Sequence, residues 1–198
     1  MIHASGYLEL IIGPMFSGKT SELISLSKQY TLSKMNTCVI NNSSDTRYHK
    51  TLLSTHDKLM IPCINTNNIC DALTPSVIQN HSVFLINEGQ FFTDLYESVI
   101  SLVETHHKIV HVCGLDGDFK RAEFGQLLKL IPMCDNIVKK TAICSRCEDG
   151  TKGLFSHRIG NETSIKIIGS SGYMSVCRNC YLKLNTTKQD SITDTDTI

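Results

Sequence analysis

Short, continuously apolar runs alternate with segments of 3.6-residue periodicity along most of the chain. Leu8, Leu10, Ile11 and Ile12 predict a buried strand, and the segment after it sets Leu23, Leu26 and Tyr30 on one face of a helix. Thr37–Ile40 and, more weakly, Ile61–Ile64 read as further strands. Val83–Ile86 is apolar at every position and predicts a strand buried on both faces. Thr93 is a candidate cap for a helix whose apolar face is Leu95, Val99, Leu102 and Val103. A strand over Ile109–Cys113, a helical piece around Leu127, Leu128 and Leu130, and a strand near Ile137 and Val138 follow. Strands alternating with helices predict an α/β fold, with a mostly parallel sheet covered on both faces and ligand groups gathered at its carboxyl edge.

From Cys144 the texture changes to short β runs, Leu154-Phe155 and Ile165–Ile168, and beyond Asn185 it is polar and without periodicity. The expected division is one domain over residues 1–141, a second over 142–184, and a disordered tail over 185–198. A chain of 198 residues buries a sizeable core, and 19 basic against 19 acidic side chains give no long-range attraction to nucleic acid or to an anionic membrane. No apolar run is long enough to cross a bilayer and the first residues lack a signal-peptide pattern, so the expected location is cytoplasmic. Nine cysteines then need a reason other than disulfides. Cys144-x-x-Cys147 and Cys177-x-x-Cys180 are two knuckles whose four thiolates can close a tetrahedral, structural Zn²⁺ site with no position open for catalysis. Cys38, Cys63, Cys70, Cys113 and Cys134 show no pairing pattern and read as small core residues, and His106, His107 and His157 as structural or solvated ones.

The chemistry concentrates in Gly13-Pro14-Met15-Phe16-Ser17-Gly18-Lys19-Thr20, which fits the phosphate-binding pattern G-x-x-x-x-G-K-[ST] without a mismatch. Backbone N–H groups of such a loop and the start of the following helix cradle phosphate oxygens, Lys19 reaches the β- and γ-phosphates, and the Thr20 hydroxyl is a candidate Mg²⁺ ligand. Three more polar stretches end predicted strands: Asp45-Thr46-Arg47, Asn87-Glu88-Gly89-Gln90 and Leu115-Asp116-Gly117-Asp118-Phe119.

Taken in order with the two knuckles and Tyr173, these motifs resemble the cellular-type (type II) thymidine kinases, from about Tyr7 to Leu184. The resemblance implies a P-loop (RecA-like) domain with a small zinc-ribbon-like lasso domain, and transfer of the γ-phosphoryl of ATP to the 5′-hydroxyl of thymidine, a step of DNA-precursor salvage. It implies Glu88 as general base, Lys19 and Arg47 as stabilisers of charge on the transferring group, Thr20 as Mg²⁺ ligand, and Asp45, Asn87 and Gln90 among the groups around nucleotide and metal. Met15, Leu115, Phe119, Phe124 and Tyr173 match the base pocket, with Ser156, Ile165 and Ile167 at or near a lasso, Ile165–Val176, that reads the thymine edge and is anchored at both ends by the zinc module. Thymidine is the implied substrate, with deoxyuridine a second candidate, dTTP the implied feedback inhibitor, and a homodimer or homotetramer the implied assembly.

One position departs from the pattern. The family motif has an aspartate before the base, where this chain has Asn87. An asparagine brings no charge to the metal's surroundings, so the expectation is an active enzyme with weakened Mg²⁺ dependence, perturbed on the scale of about 10–100-fold typical for outer partners. The two rival readings are a catalytically silent nucleotide-binding protein and a P-loop ATPase whose zinc ribbon grips a polynucleotide. Retention of Glu88 and Lys19 speaks against the first, and balanced charge against the second.

Overall fold

The computed structural model describes residues 5–44, 52–54, 60–160 and 172–193, with side chains to residue 186. Strand β1 (Tyr7–Ile12) leads through the glycine loop into helix α1 (Lys19–Leu32), and β2 (Thr37–Asn42) follows. Strands β3 (Leu52–Ser54) and β4 (Met60–Pro62) form a small antiparallel pair ahead of β5 (Ile64–Thr66). Two short helices, α2 (Ile69–Ala72) and α3 (Pro75–Asn80), precede β6 (Val83–Asn87). Helix α4 (Leu95–Ile100), prolonged by a π-type turn over Ser101–Thr105, leads to β7 (Ile109–Gly114) and then to β8 (Asn136–Lys139). Six of these strands make one parallel sheet in the order β5-β2-β6-β7-β1-β8.

Strand alternation builds a core on each face of that sheet. Leu8, Leu10, Phe84, Ile86, Val110 and Val112 point to one side, against Leu95, Val99, Leu102 and Leu127. Ile11, Val83, Leu85 and Ile109 point to the other, against Leu23 and Ile24 of α1. Val83–Ile86 is fully buried, as its unbroken apolar run predicts.

Three local differences have physical reasons. The single strand expected over Ile61–Ile64 is divided between β4 and β5, because Pro62 has no N–H to give a central ladder and pairs instead with Leu52. The helix expected around Leu127 is a 3₁₀ segment, Leu127–Met133, with Pro132 inside it, and its buried residues Leu127 and Leu130 are three apart as that tighter winding requires. Thr93 does not cap α4, whose cap position is Asp94; the Asp94 carboxylate accepts instead from the N–H groups of Ile69 and Cys70 at 3.1 and 2.9 Å, fastening α2 to the start of α4.

The second unit is built from β9 (Ala142–Ile143), β10 (Lys152–Gly153), β11 (Phe155–Arg158), β12 (Tyr173–Val176) and helix α5 (Arg178–Thr193). β9 pairs with β10 and β11 with β12, both antiparallel. Helix α5 runs past Asn185, where the sequence carries no periodicity. Ile165–Ile168 and the last five residues lie outside the described residues. No helix among the described residues is long and apolar enough to cross a membrane.

One polar network lies between α1 and the sheet. Glu9 and His111, opposite each other on β1 and β7, both face α1. Because the Glu9 carboxylate only accepts, His111 Nδ1–H donates to it at 3.1 Å and Nε2 accepts from the Tyr30 hydroxyl at 2.8 Å. Tyr7 and Asn136 also donate to Glu9, at 3.1 and 2.6 Å. Burial pushes the His111 pKa down, against the opposing pull of Glu9, and burial chiefly pushes the Tyr7 hydroxyl up to about 12. A histidine depressed in the folded state contributes stability that is present above its unfolded pKa of about 6.5 and is lost as pH falls towards the folded value. We therefore expect chemical denaturation to show stability falling as pH drops below about 6.5, and His111→Gln to flatten that slope; equal slopes in the two proteins would exclude the assignment.

Candidate active site and cysteine centre

The loop Gly13–Thr20 turns sharply out of β1, and two glycines make the turn. Gly13 (φ 153°) passes so close to the chain after β8 that a Cβ would lie 2.5 Å from the Lys140 carbonyl oxygen, and Gly18 (φ 76°) is the left-handed cap of α1. Within the loop Ser17 Oγ donates to the Pro14 carbonyl at 2.8 Å, and Lys19 Nζ donates to the same oxygen at 2.7 Å. The ammonium is thus held over the loop and largely buried, beside the N-terminus of α1. Outside it, Lys140 pairs with Glu22 at 2.8 Å and ties β8 to the first turn of α1.

The sheet order then brings the acidic tip of β6 to this loop. β7 lies between β1 and β6. Thr20 Oγ1 donates across it to Asn87 Oδ1 at 3.4 Å, and Cys113 on β7 donates its thiol to the same oxygen at 3.0 Å. Asn87 Nδ2 donates to Asn41 Oδ1 at 2.8 Å, and Asn41 Nδ2 to Asn65 Oδ1 at 2.9 Å, so an amide ladder runs across β6, β2 and β5. With its hydrogen committed to Asn87, the Thr20 hydroxyl has oxygen lone pairs suited to a hard cation such as Mg²⁺. Glu88 follows in a left-handed conformation (φ 55°), and its carboxylate accepts from Gln90 Nε2 at 2.6 Å. Gln90 Oε1 accepts from the Leu115 N–H at 3.0 Å, linking the tip of β6 to the loop after β7.

The second unit grips the loop from the other side. Ser156 on β11 and Ser175 on β12 are paired in register. Met15 N–H donates to Ser156 Oγ at 2.9 Å, and Ser175 Oγ donates to the Met15 carbonyl at 2.6 Å. Beside this clamp, the buried Arg158 guanidinium stacks 3.9 Å from the Phe119 ring centroid and donates to the Tyr173 hydroxyl. Tyr181 of α5 donates to the Phe119 carbonyl at 2.8 Å. Of the expected pocket residues, Met15, Ser156, Phe119 and Tyr173 are therefore joined through the second unit; Leu115 joins through Gln90, and Phe124 packs edge-on against Phe91 at 5.4 Å. Asp45, Arg47, Ile165 and Ile167 lie outside the described residues.

The sequence reading missed Cys113, Asn41, Ser175 and Arg158. Cys113 is buried as expected, but its thiol serves the site; its only signal was its place at the end of an apolar strand.

The four knuckle cysteines converge as their spacing predicts, with all Sγ atoms within 4.8 Å of one another. Cys147 Sγ lies 3.8 Å from Cys177 Sγ and 3.6 Å from Cys180 Sγ. A tetrahedron with metal–sulfur bonds of about 2.3 Å has sulfurs about 3.8 Å apart, so the centre is compatible with structural zinc. Burial opposes ionisation of Cys144, but backbone N–H donors, among them Cys177 N–H at 3.2 Å from Cys144 Sγ, outweigh it and bring Cys144 down to about 6, whereas the neighbouring thiols push Cys147 up to about 12.

Asn87 is 1% exposed, with three of its hydrogen-bonding positions occupied. A carboxylate there would face Asn41 Oδ1 and force the ladder to rotate. Asn87→Asp is expected to cost about 1–3 kcal/mol in urea denaturation without metal, and to regain part of it with millimolar Mg²⁺. Unchanged stability in both conditions would mean that the ladder does not discriminate against the charge.

Residues 6–181 match the family model described as "Thymidine kinase". The thymidine kinases of monkeypox virus, of vaccinia virus strain Western Reserve and of a variola virus isolate are each 43% identical to the chain over 178 residues, 89% of this chain and 97% of theirs. Matched by that model over most of its length and 43% identical to these thymidine kinases, the chain belongs to the thymidine kinase family.

Proposed function

We propose that this chain is an ATP-dependent thymidine kinase and that Glu88 is its general base. The observation that carries the reading is the junction of Thr20 with Asn87, which sets the phosphate loop beside the strand tip bearing Glu88. Phosphoryl transfer needs little covalent work from a protein and much positioning and charge stabilisation. Backbone N–H groups of Gly13–Thr20 and the Lys19 ammonium hold the β- and γ-phosphates of ATP, Lys19 exchanging its Pro14 contact for phosphate oxygen. Thr20 holds Mg²⁺, which when bound neutralises charge on the phosphates. The 5′-hydroxyl of thymidine gives its proton to Glu88 as its oxygen forms a bond to the γ-phosphorus; the bond from that phosphorus to the bridging oxygen breaks, and ADP and dTMP leave.

By the family pattern, Arg47 would stabilise the transferring group and Asp45 would serve the metal and phosphates. The thymine ring sits among Met15, Leu115, Phe119, Phe124 and Tyr173, and backbone groups around Ile165 and Ile167 read its edge. A buried polar edge left unmatched costs about 1–3 kcal/mol, which disfavours cytosine. Zinc in the cysteine centre fixes the hairpin that carries Ser156, Tyr173 and Ser175, and so the ends of the lasso. A cytoplasmic homodimer or homotetramer inhibited by dTTP completes the reading, supported by family membership alone.

The test is a coupled ATP assay with a panel of deoxynucleosides across Mg²⁺ concentrations. Thymidine-dependent turnover is expected, at rates about 10²–10⁴-fold lower in Glu88→Gln, the range that a general base contributes. Turnover that is insensitive to thymidine, or undiminished in Glu88→Gln, would refute the assignment.

A further inference from the structure

Gln90 is 3% exposed, in the 3₁₀ turn Gly89–Phe91 after the candidate base. Both ends of its amide are used: Nε2 donates to Glu88 Oε2 at 2.6 Å while Oε1 accepts from the Leu115 N–H at 3.0 Å. Since a carboxylate only accepts and an N–H only donates, one orientation of the amide satisfies both partners and the flipped one satisfies neither. The surrounding backbone leaves room for this side chain and little else. A Cβ at Gly114 would lie 2.4 Å from Gln90 Oε1, and one at Gly125 (φ +67°) would lie 2.2 Å from the Gln90 carbonyl oxygen. Gly114 therefore allows β7 to close on the side-chain amide, and Gly125 allows the segment before the 3₁₀ turn at Leu127 to close on the backbone of Gln90.

The Gln90 amide bears on how Glu88 is aimed. It stands beyond the last strand residue in a left-handed conformation, outside the ladder that fixes Asn87. A base is effective when its oxygen is held within hydrogen-bond reach of the proton that it takes, and a misplacement of about 1 Å can cost about 10²-fold.

We propose that Gln90 is a positioning residue for the reaction, aiming the Glu88 carboxylate and keying it through the Leu115 N–H to the loop that faces the nucleoside. This assignment is distinct from the nucleotide contact expected for Gln90 from the family pattern, and it rests on the reading of Glu88 as base. Gln90 is hydrogen-bonded to Glu88, so the proposed effect passes through the base.

The experiment is a double-mutant cycle on the full chain, with kcat and KM for thymidine and for ATP measured in the parent, Gln90→Met, Glu88→Gln and the double variant. Gln90→Met is expected to lower kcat by about tenfold or more with KM for ATP nearly unchanged, and to lower the residual rate of Glu88→Gln by less than about twofold. An equal fall in both backgrounds would show a structural role, and a kcat within about twofold of the parent would show none; either overturns the proposal. Should Gln90→Met fail to fold, the nearly isosteric Gln90→Glu replaces it in the cycle, with the same outcomes expected, because its carboxyl cannot support Glu88 without a shared proton. If the parent does not phosphorylate thymidine, or Glu88→Gln keeps the parent's rate, the reading of the base falls and this inference with it. A parent rate lost in Glu88→Gln but kept in Gln90→Met removes this inference alone.

Discussion

Two hydrogen bonds to the backbone of Met15 join the second unit to the phosphate loop. A phosphate loop must present its N–H groups in one fixed arrangement, yet this loop contains a left-handed phenylalanine and two positive-φ glycines, conformations that local preference does not enforce. Its shape is fixed from outside. Ser156 and Ser175, facing each other across a two-stranded hairpin, hold both polar groups of Met15, while Lys140 and Glu22 tie β8 to the opposite side. The small second unit thus touches the phosphate loop directly, and in the proposed reading zinc held by the four cysteines would fix the position of so short a hairpin.

The parallel sheet supplies the other constraint. With β7 between β1 and β6, the loop and the acidic tip emerge one strand apart, a gap that a threonine hydroxyl can bridge only by meeting a side chain reaching back. Asn87 fills that role and is itself held by Asn41 and Cys113. The asparagine that departs from the family pattern is therefore embedded in neutral partners suited to an amide. A carboxylate at this position would need the Asn41 amide turned to present its Nδ2, and the present ladder is arranged for an amide instead.

Much of the fold was legible because buried parallel strands announce themselves as apolar runs, unbroken in Val83–Ile86 and interrupted only by His111 in Ile109–Cys113. The cysteine centre was legible because metal geometry dictates ligand spacing. The 3₁₀ segment at Leu127 and the division at Pro62 were written in the prolines, whose missing donors outweigh hydrophobic periodicity. Long-range polar pairing was not legible: nothing local marks Ser175 for Met15, 160 positions away, or Arg158 for the ring of Phe119. Such contacts depend on how two units dock, and periodicity reports only the units.

In this structure the second unit holds the phosphate loop in its shape. Amide hydrogen exchange over Gly13–Lys19, compared between zinc-loaded and zinc-stripped protein, tests it most directly. Faster exchange is expected at Met15 and its neighbours after stripping, while β6 and β7 stay protected. Loop exchange that is unchanged by removal of the metal would contradict it.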